Sequence, residues 1–569
     1  MRRIETAVAA LIVSLTIPAS LGHAAPAPLA TRHMIVAAEP DAAAAGLEML
    51  RQGGSAVDAA IAAQMVLTLE EPQASGVGGG AYLMVSDNGA LSAYDGRETA
   101  PASATAKMFL DAQGAPRPFN QVRPGGLSVG VPGAVRMLAM AHAAHGKLPW
   151  ARLFDPAIRL AEQGFTVPPR LARELAEGGP QLAGMPGIRA LFFHPDGTPL
   201  KAGETWRNPE LAQTLRSIAA GGPDAFYNGA ISTAIADAVT HAPVNATTMT
   251  RADLAGYQPK QRTPLCGPYR GFRVCSMPPS SSGGTTVLQI LGLLQRFPSG
   301  VLQQGTLSEL HLVSQAERLA YADRAQWLGD TDFVSVPLAG LLDPAYLKLR
   351  SQLIDPMHDM GRAMAGNPPV KKAELPRYAP MPAQLEFGTS HLSAVDDNGQ
   401  VISMTTSVEA AFGAEIQAAG FLLNNQLTDF SFEPEINGKP VANAPSPGKR
   451  PLSAMSPTIV FGPDGKFFAS LGSPGGRQII GYVAQALVAL IDGQLTMQAA
   501  ADAPRHINLN GATVIEANTP LVQLAPALTA MGHRVRITRF DSGVNGIAHV
   551  SGGYEGGADP RREGVALGD

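Results

Sequence analysis

The sequence predicts a mixed α/β chain of the α+β type, helix-rich in its first part and built of antiparallel strands after residue 389. Three observations carry this. Residues 42–69 (AAAAGLEMLRQGGSAVDAAIAAQMVLTL) are Ala-rich and helical in pattern, with a break at Gly53-Gly54. A second long helical pattern runs through 307–328. After 389 the texture turns to alternation, and HLSAV and VISMTTSV flank Asp397-Asn398-Gly399, a hairpin signal.

The chain opens on Met1-Arg2-Arg3, an apolar run at 7–21 and the small-residue site Gly22-His23-Ala24. This is a secretory signal pattern over 1–24. A membrane anchor is the competing reading, but the run is short for a bilayer span of ~20 residues. The expectation is therefore a periplasmic or secreted protein without a stable membrane span. Next come a Gly-rich turn at 76–80, the strand-like AYLMV at 81–85 and mostly helical segments over 151–260. Cys266 and Cys275 flank GPYRGFRV, whose centre reads as a turn between two short strands. A cross-hairpin disulfide and two buried thiols both fit. Residues 355–388 are Pro-rich without clear period and read as an exposed flexible linker. Further strands are expected at 419–423, 457–461 and 467–471.

Composition excludes several classes. Of 569 residues, 43 are Lys or Arg and 47 Asp or Glu, which leaves no basic footprint for nucleic acid. Hydrophobic residues at 45% make the chain too apolar for disorder. Two cysteines exclude a zinc site of three or four thiolates. The 12 histidines form no H-E-x-x-H pair, and neither metal nor cofactor is required.

Three short motifs fail on context. Residues 76–81 match the dinucleotide fingerprint, but the helix precedes and the strand follows, the reverse of what pyrophosphate binding needs. Residues 126–130 match the serine-hydrolase elbow around Ser128, but Val131-Pro132-Gly133 delays any helix. Ser446 and Lys449 have S-x-x-K spacing with Pro-Gly between them, which opposes the required helical turn.

The Gly388-Thr389 boundary is more informative. If that bond were cut, the free α-amine of Thr389, with a pKa of about 7.7–8, could act as base for its own hydroxyl. Glycine at 388 tolerates the geometry this requires. Hairpin pairing centred on Asn398 puts Thr389 opposite Ser407; a half-residue shift puts it opposite Val408. An ordinary polar hairpin after a loop explains the same spacing.

GGSAVDAAIAA (53–63), SGVGGGAYLMV (75–85), GRETAPASA (96–104), YRGFRVCSMPPSSSGGTTVLQIL (269–291) and ERLAYADRAQWLGDTDF (317–333) resemble blocks of the gamma-glutamyltransferase family of N-terminal-nucleophile hydrolases. GTSHLSAVDDNG (388–399), FLLNNQLTDFS (421–431), KRPLSAMSPTIV (449–460) and LGSPGG (471–476) do so too, in family order. The resemblance implies a four-layer αββα sandwich. It also implies self-cleavage into a large chain, 25–388, and a small chain, 389–569, forming a heterodimer around one core. Thr389 would attack a γ-glutamyl amide such as glutathione, and water or an amino-acid or peptide acceptor would resolve the acyl-enzyme. Ser407 would orient the nucleophile, and the N–H groups of Gly475 and Gly476 would form the oxyanion hole. Arg97 and Ser453 would hold the substrate α-carboxylate, and Gln426 and Asp429 its α-ammonium.

Two residues depart from the family pattern. Glu409 stands where Asn is usual, and Ala454 replaces the second of two serines. Glu409 adds a negative charge to the substrate pocket, and Ala454 removes a donor to the carboxylate. The segment 432–448 is also shorter than many lid loops and has no tyrosine. Two alternatives follow: an amidase for another dicarboxylic acyl group, glutaryl or cephalosporin-type, and a catalytically inactive periplasmic binding protein.

Overall fold

The computed structural model describes residues 28–370, 378–382 and 388–569. The signal segment 1–24 lies outside the described residues, as do 371–377 and 383–387 of the expected linker.

The Ala-rich segment forms two helices, Pro40–Arg51 and Ala56–Glu70, parted at the predicted Gly53-Gly54 break. Ser55 caps the second helix in a reciprocal capping box with Asp58. Strand Gly80–Asp87 follows the Gly-rich turn, so helix precedes strand and the dinucleotide order is indeed reversed. The glycines serve close packing instead. A Cβ on Gly79 would lie 2.1 Å from the Ser407 carbonyl oxygen, so only glycine lets this turn meet the end of the strand that carries Ser407.

Two seven-stranded antiparallel sheets form the centre. The first runs Val565–Gly568, Met34–Ala37, Ser390–Val395, Val401–Ser407, Gly80–Asp87, Ala90–Gly96, Lys260–Arg262. Each sheet draws strands from both sides of Gly388. Side chains alternate as a pleated strand requires. Ile35, Leu83 and Leu392 face the helix pair 40–51 and 56–70, whereas Met34, Val36, Tyr82 and Met84 belong to a second core. That core also holds Ile459, Leu471 and Ile547 of the second sheet and the helices Gly283–Leu294, Leu307–Trp327 and Ile479–Ile491. Helix, sheet, sheet, helix is the expected four-layer order. Short hydroxyls link the sheets beneath the nucleophile strand: Ser470 donates to Ser393 at 3.0 Å, and Ser403 to the Leu471 carbonyl at 3.0 Å.

Several sequence expectations need correction. The strand expected from Thr389 begins at Ser390, because Thr389 has φ +87° and cannot join the ladder. The strand expected over 419–423 is only Phe421–Leu422, paired with Gln417–Ala418. The stretch 355–388 is exposed at 355–358, 362, 364, 367 and 369–370, as expected of a linker, but it is anchored elsewhere where it is described. Tyr378, Ala379 and Met381 are buried, and Ala379 and Met381 pack with Leu328, Leu341, Val441 and Leu452. Asp359 pairs with Arg318 of the long helix at 2.9 Å. Pro-rich composition identified the lack of periodicity but not these apolar anchors.

Cys266 and Cys275 are bridged across the expected hairpin, where they are register partners. Ser128 ends a 3-10 turn and spends its hydroxyl on the Arg123 carbonyl, and the next helix starts only at Ala134, so no elbow forms.

Asp58 holds the first helical layer together. Its carboxylate accepts from the N–H groups of Ser55 (2.8 Å), Lys147 (2.9 Å) and Leu148 (3.0 Å). Asp58→Ala strands these donors, so a denaturant titration should show a loss of about 3–5 kcal/mol.

Candidate active site

Strand pairing places the nucleophile. Ser390 pairs with Thr406, and the register continues to put Thr389 opposite Ser407, the first of the two predicted registers. The Thr389 hydroxyl donates to Ser407 Oγ at 3.0 Å, and Ser407 Oγ also accepts the Glu409 N–H at 2.8 Å. The carbonyl of Ala74, from the turn after the second helix, accepts the N–H of Thr389 (3.3 Å) and of Val408 (3.0 Å).

The Gly388–Thr389 peptide is held under strain. Both residues have positive φ, +73° and +87°. For a β-branched residue this is an outlier that costs of order 1–3 kcal/mol. A Cβ on Gly388 would lie 1.8 Å from the Glu409 carbonyl oxygen, so glycine is a steric requirement there. The Gly388 carbonyl accepts the Gly475 N–H at 3.2 Å. Gly475 and Gly476 have φ +128° and +57° and lead into helix Ile479–Ile491.

A narrow cleft starts at Thr389 and Ser407 and is lined by Arg97, Glu409, Gln426, Asp429, Ser453, Ala454 and Gly476. The structure thus brings together eight of the expected site residues, and Gly475 joins through its bond to Gly388. Arg97 follows strand Ala90–Gly96 and is 1% exposed. It donates to the carbonyls of Pro451 (3.1 Å) and Leu452 (3.2 Å) and pairs with Asp429. Burial pulls its pKa down, but Asp429, Tyr82 and Glu98 outweigh that and hold it above its ordinary value. Glu98, 3.7 Å from Arg97, has its carboxyl pushed up to about 8, chiefly by burial.

Gln426 and Asp429 share one 3-10 turn. Gln426 Oε1 is buried without a hydrogen-bond partner among the described residues. Asn443 donates to the Asp429 carbonyl (2.7 Å) and accepts the Leu452 N–H (2.9 Å), tying the two cleft walls to the root of segment 432–448. Lys449 has no nucleophile at Ser446 to serve. It donates to the carbonyls of Ala442 and Ala444, and burial lowers its pKa to about 8. Asn425 donates to Glu409 Oε2 at 2.5 Å.

Sequence reasoning missed a second ring of residues. Arg562 donates to the Thr389 carbonyl at 3.0 Å and lies 3.3 Å from Glu71. Glu71 also pairs with Arg170 and accepts the Ser390 hydroxyl. These groups are 99 to 491 positions from Glu71, so no local pattern marks them. Beyond Gly388 and Gly475 opens a cavity of about 780 Å³ whose wall carries Arg123, Arg173 and Arg539 besides Arg170 and Arg562. Among the described residues no cluster of three or more His, Cys, Asp or Glu could hold a metal ion, and no helix is long and apolar enough to cross a membrane.

The layered fold and the Gly-Thr junction define an N-terminal-nucleophile hydrolase. A gamma-glutamyltranspeptidase family model matches residues 42–569, and the chain belongs to that family. The glutathione hydrolase proenzyme of Bacillus subtilis (strain 168) is 37% identical over 551 residues, 94% of this chain and 91% of its own. Acylase ACY 1 proenzyme of Pseudomonas sp. (strain SE83) is 35% identical over 548 residues, 94% of this chain and 93% of its own. Among solved structures, cephalosporin acylase from Bacillus halodurans superposes with a TM-score of 0.85 at 27% identity, over 98% of this chain and 99% of that one.

Two substitutions test the junction. Gly388→Ala drives a methyl into the Glu409 carbonyl and should leave the chain uncut by intact mass. Ser407→Ala removes the acceptor of the Thr389 hydroxyl. Self-cleavage and turnover should both fall about 10–100-fold, in line with one hydrogen bond to a reacting group.

Proposed function

We propose that this enzyme is a self-cleaving γ-glutamyl hydrolase and transpeptidase, with Thr389 as nucleophile and glutathione-type amides as substrates. One observation carries the reading: the Thr389 hydroxyl sits on Ser407 while the preceding carbonyl sits on the Gly475 N–H, beside a cleft that pairs a buried arginine with acidic and amide acceptors.

In the uncut chain, Thr389 Oγ1 attacks the Gly388 carbonyl carbon. Gly475 stabilises the developing oxyanion, and relief of strain at Thr389 favours the shift. The C–N bond breaks, the hydroxyl proton passes to the nitrogen, and an ester joins Gly388 to Thr389. Water hydrolyses this ester and frees the Thr389 α-amine, leaving a heterodimer of 25–388 and 389–569. In the mature enzyme the amine takes the hydroxyl proton as Oγ1 attacks the γ-glutamyl carbonyl, and returns it to the leaving amine. Preorganised donors at Gly475 and Gly476 can contribute several kcal/mol, about 3 each. Ser453 and the Nη1 group of Arg97 meet the α-carboxylate; Asp429, Gln426 Oε1 and Glu409 meet the ammonium. Leaving group and acceptor occupy the 780 Å³ cavity. The basic, apolar N-terminus and the Cys266–Cys275 bridge support export to an oxidising compartment.

A second reading is an amidase for another dicarboxylic acyl group. The ACY 1 and cephalosporin acylase likenesses support it, as does the single hydroxyl at Ser453-Ala454. Relative rates on γ-glutamyl and glutaryl amides separate the two.

Purified protein should consist of two chains, the smaller beginning at Thr389, whereas Thr389→Ala should remain one chain. A single chain in both would sink the proposal. Ser128→Ala should leave activity unchanged. With an α-amine as base, kcat/KM should climb with pH and level off above about 8. A profile flat from pH 6 to 9 would exclude the amine.

A further inference from the structure

Arg562 touches the nucleophile, yet the reaction described above gives it no task. Its Nη1 donates to the Thr389 carbonyl at 3.0 Å and its Nη2 to the Asp541 carbonyl at 3.1 Å. The side chain is 5% exposed. Burial and the nearby Arg170 guanidinium lower its pKa to about 10, so it stays charged at neutral pH. A cation in direct contact with Thr389 matters because self-cleavage turns the Thr389 nitrogen from an amide into an amine that titrates.

That nitrogen is pulled two ways. The Ala74 carbonyl accepts from it and favours the ammonium. Arg562 opposes the ammonium, as a like charge in a buried site. The other charged groups reach Thr389 less directly. Glu71, just past helix Ala56–Glu70, touches the nucleophile strand through the Ser390 hydroxyl, and its charge is shared between Arg170 and Arg562. Glu174, 2.8 Å from Arg170, and Asp541 act on the same two arginines. Arg97, Glu409 and Asp429 line the acyl cleft on the other side of Thr389. His391, two residues along the strand, is neutral because burial lowers its pKa to about 3. Gly475 and Gly476 precede helix Ile479–Ile491, whose N-terminal end carries partial positive charge.

We propose that Arg562 is a positioning residue for the mature enzyme: it lowers the basicity of the Thr389 α-amine, so that the amine is free to accept the hydroxyl proton at neutral pH, and it anchors the backbone that carries both groups. This rests on the threonyl acyl-enzyme reading above. The amine can take the proton of Oγ1 only when it is itself neutral. A guanidinium fixed on the carbonyl of the same residue disfavours the ammonium by about one pKa unit. The same bond keeps the amine beside a hydroxyl that Ser407 holds.

The test is the pH profile of kcat/KM on L-γ-glutamyl-4-nitroanilide for the mature two-chain enzyme, compared with Arg562→Met and Arg562→Lys. Arg562→Met should move the rising limb up by about one pH unit. Its kcat/KM should then fall about 10-fold at the foot of the limb and return to within about 3-fold of wild type on the alkaline plateau. Arg562→Lys keeps the charge and should leave the limb where the wild type has it. A lowered plateau with an unmoved limb would overturn the proposal, because loss of structure alone has that effect. Self-cleavage uses an amide nitrogen, so both variants should mature; an uncut Arg562→Met chain would assign Arg562 to the junction instead and would also overturn it. The wild type supplies a second measurement. Reductive methylation of the Thr389 amine, followed by the mass of the peptide that begins there, should show a midpoint below the ordinary range of about 7.7–8. A midpoint within or above that range counts against Arg562. A wild type with no rising limb at all would refute the acyl-enzyme reading itself, so the two failures are distinct.

Discussion

The hydrogen bond from the Gly475 N–H to the Gly388 carbonyl is the constraint around which the rest is arranged. It joins a loop at the end of one sheet to the peptide that leads into an interior strand of the other. For that bond to form, the two sheets must pack closely beneath it. Small hydroxyl side chains contribute to this packing: Ser393, Ser403 and Ser470 lie in the interface, beside the apolar residues the two sheets share. His391 packs tightly against Gly472, where a Cβ would lie 2.3 Å from the ring. The large apolar cores, one of which includes residues of both sheets, supply the stability that these hydroxyl contacts do not.

The same arrangement concentrates strain at one peptide. Thr389 cannot follow the ladder that begins at Ser390, because its N–H is drawn to Ala74 and its carbonyl to Arg562. The surrounding contacts over-determine its backbone, which is how an unfavourable φ persists in a folded protein. Glu71 and Arg170 brace this arrangement from the first helical layer and its neighbours, whereas Arg562 comes from near the C-terminus. Residues on both sides of the junction therefore hold it, and neither stretch of sequence builds the site alone.

The cleft beside it shows how neighbouring charges divide their roles. Arg97 and Asp429 compensate each other in a buried environment where either alone would be costly. Glu409 is held by the Asn425 amide, and its charge acts on Arg123.

Much of this was legible in the sequence because it is local. The helix break at Gly53-Gly54, the Asp397-Asn398-Gly399 hairpin and the register that faces Thr389 with Ser407 follow from periodicity and turn chemistry over a few residues. Family blocks then located Arg97, Gln426, Asp429 and Ser453, although spacing gave no reason for them to meet. The partners of Glu71, the burial of Tyr378 and Met381 in an apparent linker, and the donor on the Gly388 carbonyl were decided only by the tertiary structure. They arise where segments hundreds of residues apart pack together, and a pattern read along the chain carries no record of which distant backbone N–H will face which carbonyl.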